Sequence, residues 1–108
     1  MYRLLLGALC IALLMSCTHR SEIIGRWQEI GKAATLEFRR DSTFKAVDDM
    51  GMAVSGKYTI EKDGNIRFEI KHTDATTEII NGTHAVHGDE LTYTSENDKE
   101  VYKYKRAQ

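Results

Sequence analysis

The chain has 108 residues, two cysteines and no proline, and its 15 Lys and Arg nearly balance 16 Asp and Glu. A near-neutral chain without a basic cluster is not typical of a nucleic-acid-binding protein. The length supports one domain and leaves too little buried surface for two.

Residues 1–16 have the organisation of a secretory signal peptide. Arg3 is their only charged residue, an uncharged and mostly apolar run covers residues 4–15, and Ser16 precedes Cys17. This run of twelve residues is too short for a transmembrane helix, which needs roughly twenty. The segment is therefore predicted to be an export signal that is removed.

The residues before Cys17 extend this prediction. Leu14-Met15-Ser16-Cys17 resembles the lipobox of bacterial lipoproteins, with a branched apolar residue three positions before the cysteine and a small residue next to it. The resemblance implies an acylated Cys17, a tether over residues 17–22, and a domain over residues 23–108 anchored to the bacterial cell envelope. By analogy with sorting rules, Thr18 favours the outer membrane, with the domain facing the periplasm. A secreted protein with an unrelated cysteine near its cleavage site is the alternative.

No disulfide is expected in the domain, because Cys10 lies in the leader and Cys17 carries lipid. Small exported domains often depend on disulfides. This one is therefore expected to depend on its hydrophobic core.

Apolar and polar residues alternate through most of the domain. Residues 66–71 read Ile-Arg-Phe-Glu-Ile-Lys, which places three apolar side chains on one face and three charged ones on the other, as in a half-buried strand. Similar alternation occurs around residues 36–38, 44–46, 52–60, 91–93 and 102–104. Turn-forming residues occupy positions 40–42, 48–51, 62–65, 87–89 and 96–98. The pattern predicts eight strands and no helix of useful length after Cys17.

An internal repeat indicates hairpins. Val54-Ser55-Gly56-Lys57-Tyr58-Thr59-Ile60 is echoed by Ile80-Asn81-Gly82-Thr83-His84-Ala85-Val86, and a glycine-containing turn follows each. Short antiparallel strands either stack as a sandwich or close into a barrel, and closure removes exposed edges. Because the chain lacks the proline that often protects edges, an all-β, eight-stranded antiparallel barrel is predicted, with a β-sandwich as the alternative.

A family resemblance points the same way. Gly25-Arg26-Trp27 resembles the Gly-x-Trp motif of lipocalins and their smaller bacterial relatives, and residues 35–44, 55–58, 88–93 and 102–106 resemble the lipocalin-like domains of small bacterial lipoproteins. The strands are shorter than in lipocalins proper. An eight-stranded barrel is just wide enough to be filled by side chains or to hold one small ligand.

Several aromatic and polar residues are candidates for the barrel interior. Trp27 is expected at the barrel floor, with its indole N–H bonded to a nearby carbonyl. The repeat aligns His84 with Tyr58 on the inward face, where each needs a structural partner, a water or a ligand. The predicted polar lining of any enclosed space is Tyr58, His84, Tyr93, Tyr102 and Tyr104. The predicted core is Trp27, Leu36, Phe38, Tyr58, Phe68 and Leu91.

No local pattern indicates catalysis or metal binding, so no enzyme activity, cofactor or metal is expected. The expected function is that of a non-enzymatic envelope lipoprotein that holds a small apolar ligand or serves as a folded module at the membrane. The alternative is a protein-interaction module, such as an inhibitor of an envelope-attacking hydrolase. It is suggested by Ser55-Gly56-Lys57-Tyr58, which resembles the Ser-Gly-x-x-Tyr signature of barrel-shaped lysozyme inhibitors but is one residue shorter and lacks their disulfide. An open apolar cavity would favour ligand binding, and a packed interior would favour the interaction module.

Overall fold

The computed structural model describes residues 22–107, which form a closed barrel of eight antiparallel β-strands. The strands are β1 (Gly25–Glu29), β2 (Thr35–Phe38), β3 (Thr43–Val47), β4 (Ala53–Ile60), β5 (Asn65–Lys71), β6 (Thr77–His87), β7 (Glu90–Ser95) and β8 (Val101–Arg106). Each strand pairs with the next along the chain, and β1 pairs with β8 to close the barrel. The predicted barrel is confirmed and the sandwich alternative is wrong. The predicted signal peptide and Cys17 lie outside the described residues.

The barrel forms because apolar residues alternate along the strands. In β5, Ile66, Phe68 and Ile70 are buried and the residues between them are exposed. All six predicted core residues are buried. Within residues 22–107, no helix is long and apolar enough to cross a membrane.

The up-and-down strand order gives the barrel two different ends. One end carries the loops at residues 39–42, 61–64 and 88–89, together with the chain segments that enter β1 and leave β8. We call it the closed end because the largest fully buried side chains lie towards it: Trp27, Phe38, Ile23, Ile66 and Leu91. The opposite end carries the loops at residues 30–34, 48–52, 72–76 and 96–100. We call it the open end.

Trp27 forms the floor of the closed end. Its side chain is fully buried, and its indole Nε1 donates a hydrogen bond to the Ile23 carbonyl at 2.8 Å. The guanidinium of Arg106 lies 4.2 Å from the ring centroid, within cation–π range. Arg106 also donates to the carbonyls of Ile24 at 3.1 Å and Glu22 at 2.7 Å. The predicted role of Trp27 is confirmed, and Arg106 ties the segment before β1 to the end of β8.

Candidate ligand-binding cavity

Side chains do not fill the half of the barrel nearest the open end. A cavity of about 530 Å³ opens there between the loops, and this volume lies in the range of small-molecule sites. An apolar chamber of about 150 Å³ adjoins it and reaches Phe44, Phe68 and Ile70 deeper in the barrel. A chamber of about that size can take a benzene-sized group. The residues that line both spaces are Leu36, Ala46, Val54, Ile80, Tyr93 and Tyr104.

Three of the predicted interior residues meet at the wall of this cavity. Tyr93, Tyr102 and Tyr104 all line it, and they come from the adjacent strands β7 and β8. The rings of Tyr93 and Tyr102 are stacked with centroids 6.1 Å apart, and Tyr93 meets Phe68 edge to face at 5.7 Å. The tyrosines therefore form an aromatic wall that continues into the core.

The phenols of this wall are neutral at physiological pH. Burial raises the pKa of Tyr104 to about 12, and the nearby Glu29 carboxylate adds to the effect. Burial likewise raises the pKa of Tyr93 and of Tyr102. The buried Tyr93 hydroxyl has no partner at hydrogen-bonding geometry among residues 22–107, although the Ser95 side chain is close enough to oppose the rise in its pKa. The wall therefore offers apolar ring surface and uncharged hydroxyl groups.

Tyr58 and His84 point inward, as predicted, but neither lines this cavity. The Tyr58 hydroxyl donates to the Arg39 carbonyl at 2.9 Å. The His84 Nδ1 lies 2.9 Å from the Gly64 carbonyl and must carry the proton, because a carbonyl only accepts. Both acceptors belong to closed-end loops. The two repeat positions thus have equivalent structural partners, and each fastens its strand to a neighbouring loop.

Four carboxylates line the cavity, and sequence analysis did not identify them. They are Glu29, Asp48, Glu78 and Asp98, and within residues 22–107 no lysine, arginine or histidine lines the same cavity. They come from the end of β1, the loop after β3, the start of β6 and the loop after β7. Only closure of the barrel brings them together.

The side chains that line the cavity provide mainly apolar, aromatic and acidic groups. In the described part of the chain, no three His, Cys, Asp or Glu side chains are grouped so that they could hold a metal ion. The cavity combines an apolar interior, an aromatic wall and acidic groups at its mouth. Comparison with known protein families and with curated proteins finds no match for the chain.

Proposed function

We propose that this protein is a lipid-anchored bacterial envelope lipoprotein, non-enzymatic and lipocalin-like, whose barrel binds one small and largely apolar ligand. The cavity at the open end carries the proposal, because it is large enough for a small molecule and its inner wall is apolar. The sequence resemblance to lipocalin-like lipoproteins supports it, and so does the barrel topology.

The second candidate function is binding of an envelope protein at the open end. Large apolar side chains are exposed there on the loops and at the strand ends: Ile30, Met50, Met52, Val54 and Val101. The resemblance to lysozyme inhibitors adds little support, because Tyr58 is only 5% exposed and its hydroxyl bonds Arg39. The open cavity favours the small ligand.

Lipid on Cys17 would keep the closed end of the barrel near the membrane. Arg106 holds the Glu22 carbonyl at the closed end, and five residue steps of at most about 3.6 Å each separate Glu22 from Cys17. The closed end would therefore lie within roughly 18 Å of the lipid anchor. The mouth of the cavity lies at the opposite end of the barrel, so it would be the end farther from the anchor.

Blocking the cavity should weaken ligand binding without unfolding the barrel. Ala46 lines both the open cavity and the deeper chamber, so Ala46→Phe would fill space that a ligand needs. Each methylene group of a ligand that can no longer be buried in the cavity costs about 0.8 kcal/mol of binding free energy. We therefore expect the affinity for the ligand to fall at least tenfold. The measurement is a ligand-observed NMR titration with benzyl alcohol, using the mature protein in phosphatidylcholine nanodiscs and subtracting the signal of empty nanodiscs.

The matched control is Lys45→Phe, which adds the same ring to the exposed face of the same strand. It should bind benzyl alcohol as the unmodified protein does. Equal binding by both variants, or no binding by the unmodified protein, would count against a ligand site in the cavity.

The anchoring proposal predicts a mature chain that begins at acylated Cys17. In cells fed an alkyne-tagged fatty acid, Cys17→Ser should lose all of the label, because it removes the thiol that accepts the diacylglyceryl group. Cys10→Ser, within the leader, should keep the label, and intact mass spectrometry should place the N-terminus at residue 17. Label retained by Cys17→Ser, or a mature chain starting elsewhere, would refute the anchor.

A further inference from the structure

Charge is unevenly distributed between the two ends of the barrel. The four loops of the open end contain six Asp and Glu and only two lysines, and Glu29 and Glu78 at the adjoining strand ends raise the number of acidic residues to eight. The chain as a whole has a formal net charge of −1, so this excess is local. A cleft lined by one sign of charge concentrates ions of the opposite sign. The open end therefore favours cations.

Two of the four cavity carboxylates, Glu29 and Glu78, form ion pairs with other described residues, and Glu29 is the more enclosed of these two. Its side chain is 15% exposed, whereas that of Lys32, whose Nζ lies 3.7 Å away, is 54% exposed. Glu78 is more open and pairs with His72 at 2.9 Å. A carboxylate largely removed from water is costly unless it is well paired. Glu29 is therefore placed to gain from a cation that enters the cavity.

Glu29 also stands beside the aromatic wall. It pairs in register with Tyr104 across β1 and β8, and its charge contributes to the raised pKa of both Tyr104 and Tyr102. Aromatic faces attract cations, more strongly when both partners are shielded from water. The Glu29 carboxylate and the phenol rings of Tyr102 and Tyr104 thus line the same cavity. This cavity adjoins the apolar chamber.

We propose that the cavity selects an amphipathic cation, an amine or quaternary ammonium group attached to an apolar ring or short chain. The inference rests on the proposed ligand-binding function and specifies the ligand class. The cationic group would lie between Glu29 and the tyrosine wall, and the apolar part would enter the chamber beneath Leu36 and Ile80. Anionic amphiphiles such as fatty acids are disfavoured, because every charged side chain that lines the cavity is negative.

Three probes that share one ring test the charge preference. They are benzyltrimethylammonium, benzyl alcohol and phenylacetate, measured by ligand-observed NMR on the mature protein in phosphatidylcholine nanodiscs. We expect the cation to bind at least about tenfold more tightly than the alcohol, as partly buried charge pairing and cation–π contact imply. Phenylacetate should bind most weakly, and added salt should reduce the preference for the cation.

Variants locate the source of the preference. Glu29→Gln keeps the side-chain shape and should reduce the cation-to-alcohol affinity ratio by about tenfold. Asp98→Asn, in an exposed loop, should reduce the cation-to-alcohol affinity ratio by a smaller factor. This variant replaces Glu29→Gln in the test if circular dichroism shows that Glu29→Gln folds poorly. Glu90→Gln, exposed at the closed end, is the matched control and should leave all three affinities unchanged.

The outcomes separate this inference from the function on which it rests. Equal binding of the three probes, a preference for phenylacetate, or a cation preference that survives both Glu29→Gln and Asp98→Asn would overturn the inference while leaving ligand binding intact. Failure of all three probes to bind the unmodified protein would overturn both.

Discussion

Replacing Trp27 with alanine is expected to lower the free energy of unfolding by about 3–5 kcal/mol. The side chain is fully buried, so its loss leaves a cavity at the floor of the barrel. The change also removes the hydrogen bond to the Ile23 carbonyl and the ring on which Arg106 lies. Because small domains are stable by only about 5–15 kcal/mol, the variant would lose a large part of its stability.

Urea unfolding followed by far-ultraviolet circular dichroism measures this effect. Trp27 is the only tryptophan, so tryptophan fluorescence cannot follow the variant. Trp27→Phe keeps a buried ring and loses the indole hydrogen bond. Its free energy of unfolding should therefore lie between those of the unmodified protein and Trp27→Ala. Arg26→Ala, an exposed position on the same strand, should change stability by less than about 0.5 kcal/mol. If Trp27→Ala lowers the free energy of unfolding by less than about 1 kcal/mol, the floor of the barrel contributes little to its stability.

The strands could be predicted because their pattern is local. In β5, three buried and four exposed residues alternate without interruption, and each strand needs only its own sequence to show which side is apolar. The turn between β5 and β6, residues 72–76, has no comparable local pattern that would predict it. Asp74 caps it by accepting from the backbone and hydroxyl of Thr76, and Ala75 adopts a positive φ of 71°. A non-glycine residue in that conformation is uncommon, so composition alone did not mark this turn.

The candidate site was only partly predictable, because alternation fixes the face of a side chain and not its height in the barrel. The repeat placed Tyr58 and His84 on the inward face correctly. Height depends on strand pairing, which brings His84 opposite Tyr93 while its ring bonds a closed-end loop. The acidic residues at the mouth of the cavity were even harder to predict from the sequence. Glu29 and Asp98 are far apart in sequence, and only the β1–β8 pairing brings their elements together.

The division of the barrel into two halves explains how a small domain can keep a cavity. The closed half contains the fully buried side chains and the edge-to-face pair of Phe38 and Tyr58 at 4.9 Å. An unfilled apolar space costs stability because its lining loses packing partners. Dense packing at one end offsets that loss at the other, so the mouth can stay open without a disulfide.

Close contacts with neighbouring strands explain why two inward positions of the repeat are glycines. A Cβ built on Gly82 would collide with the Thr94 carbonyl oxygen and would lie 2.6 Å from Cε1 and 2.7 Å from the hydroxyl of Tyr93. A Cβ built on Gly56 would collide with the Glu69 carbonyl oxygen. Gly82 therefore makes room for the backbone of β7 and for the Tyr93 side chain of the aromatic wall. Gly56, which pairs with Ile70, makes room for the backbone of β5.

Gly56→Ala should consequently destabilise the barrel by about 3 kcal/mol, towards the upper end for added volume in a packed interior. Besides the Glu69 oxygen, the new methyl group would lie 3.0 Å from the Glu69 carbonyl carbon and 3.2 Å from the Ile70 Cα. These are backbone atoms, so no side chain can rotate to relieve the contact, and β4 must move away from β5. The expected result is a lower urea midpoint, with Ser55→Ala, exposed on the same strand, unchanged as the control. A midpoint for Gly56→Ala equal to that of the unmodified protein would mean that the two strands are not this closely packed.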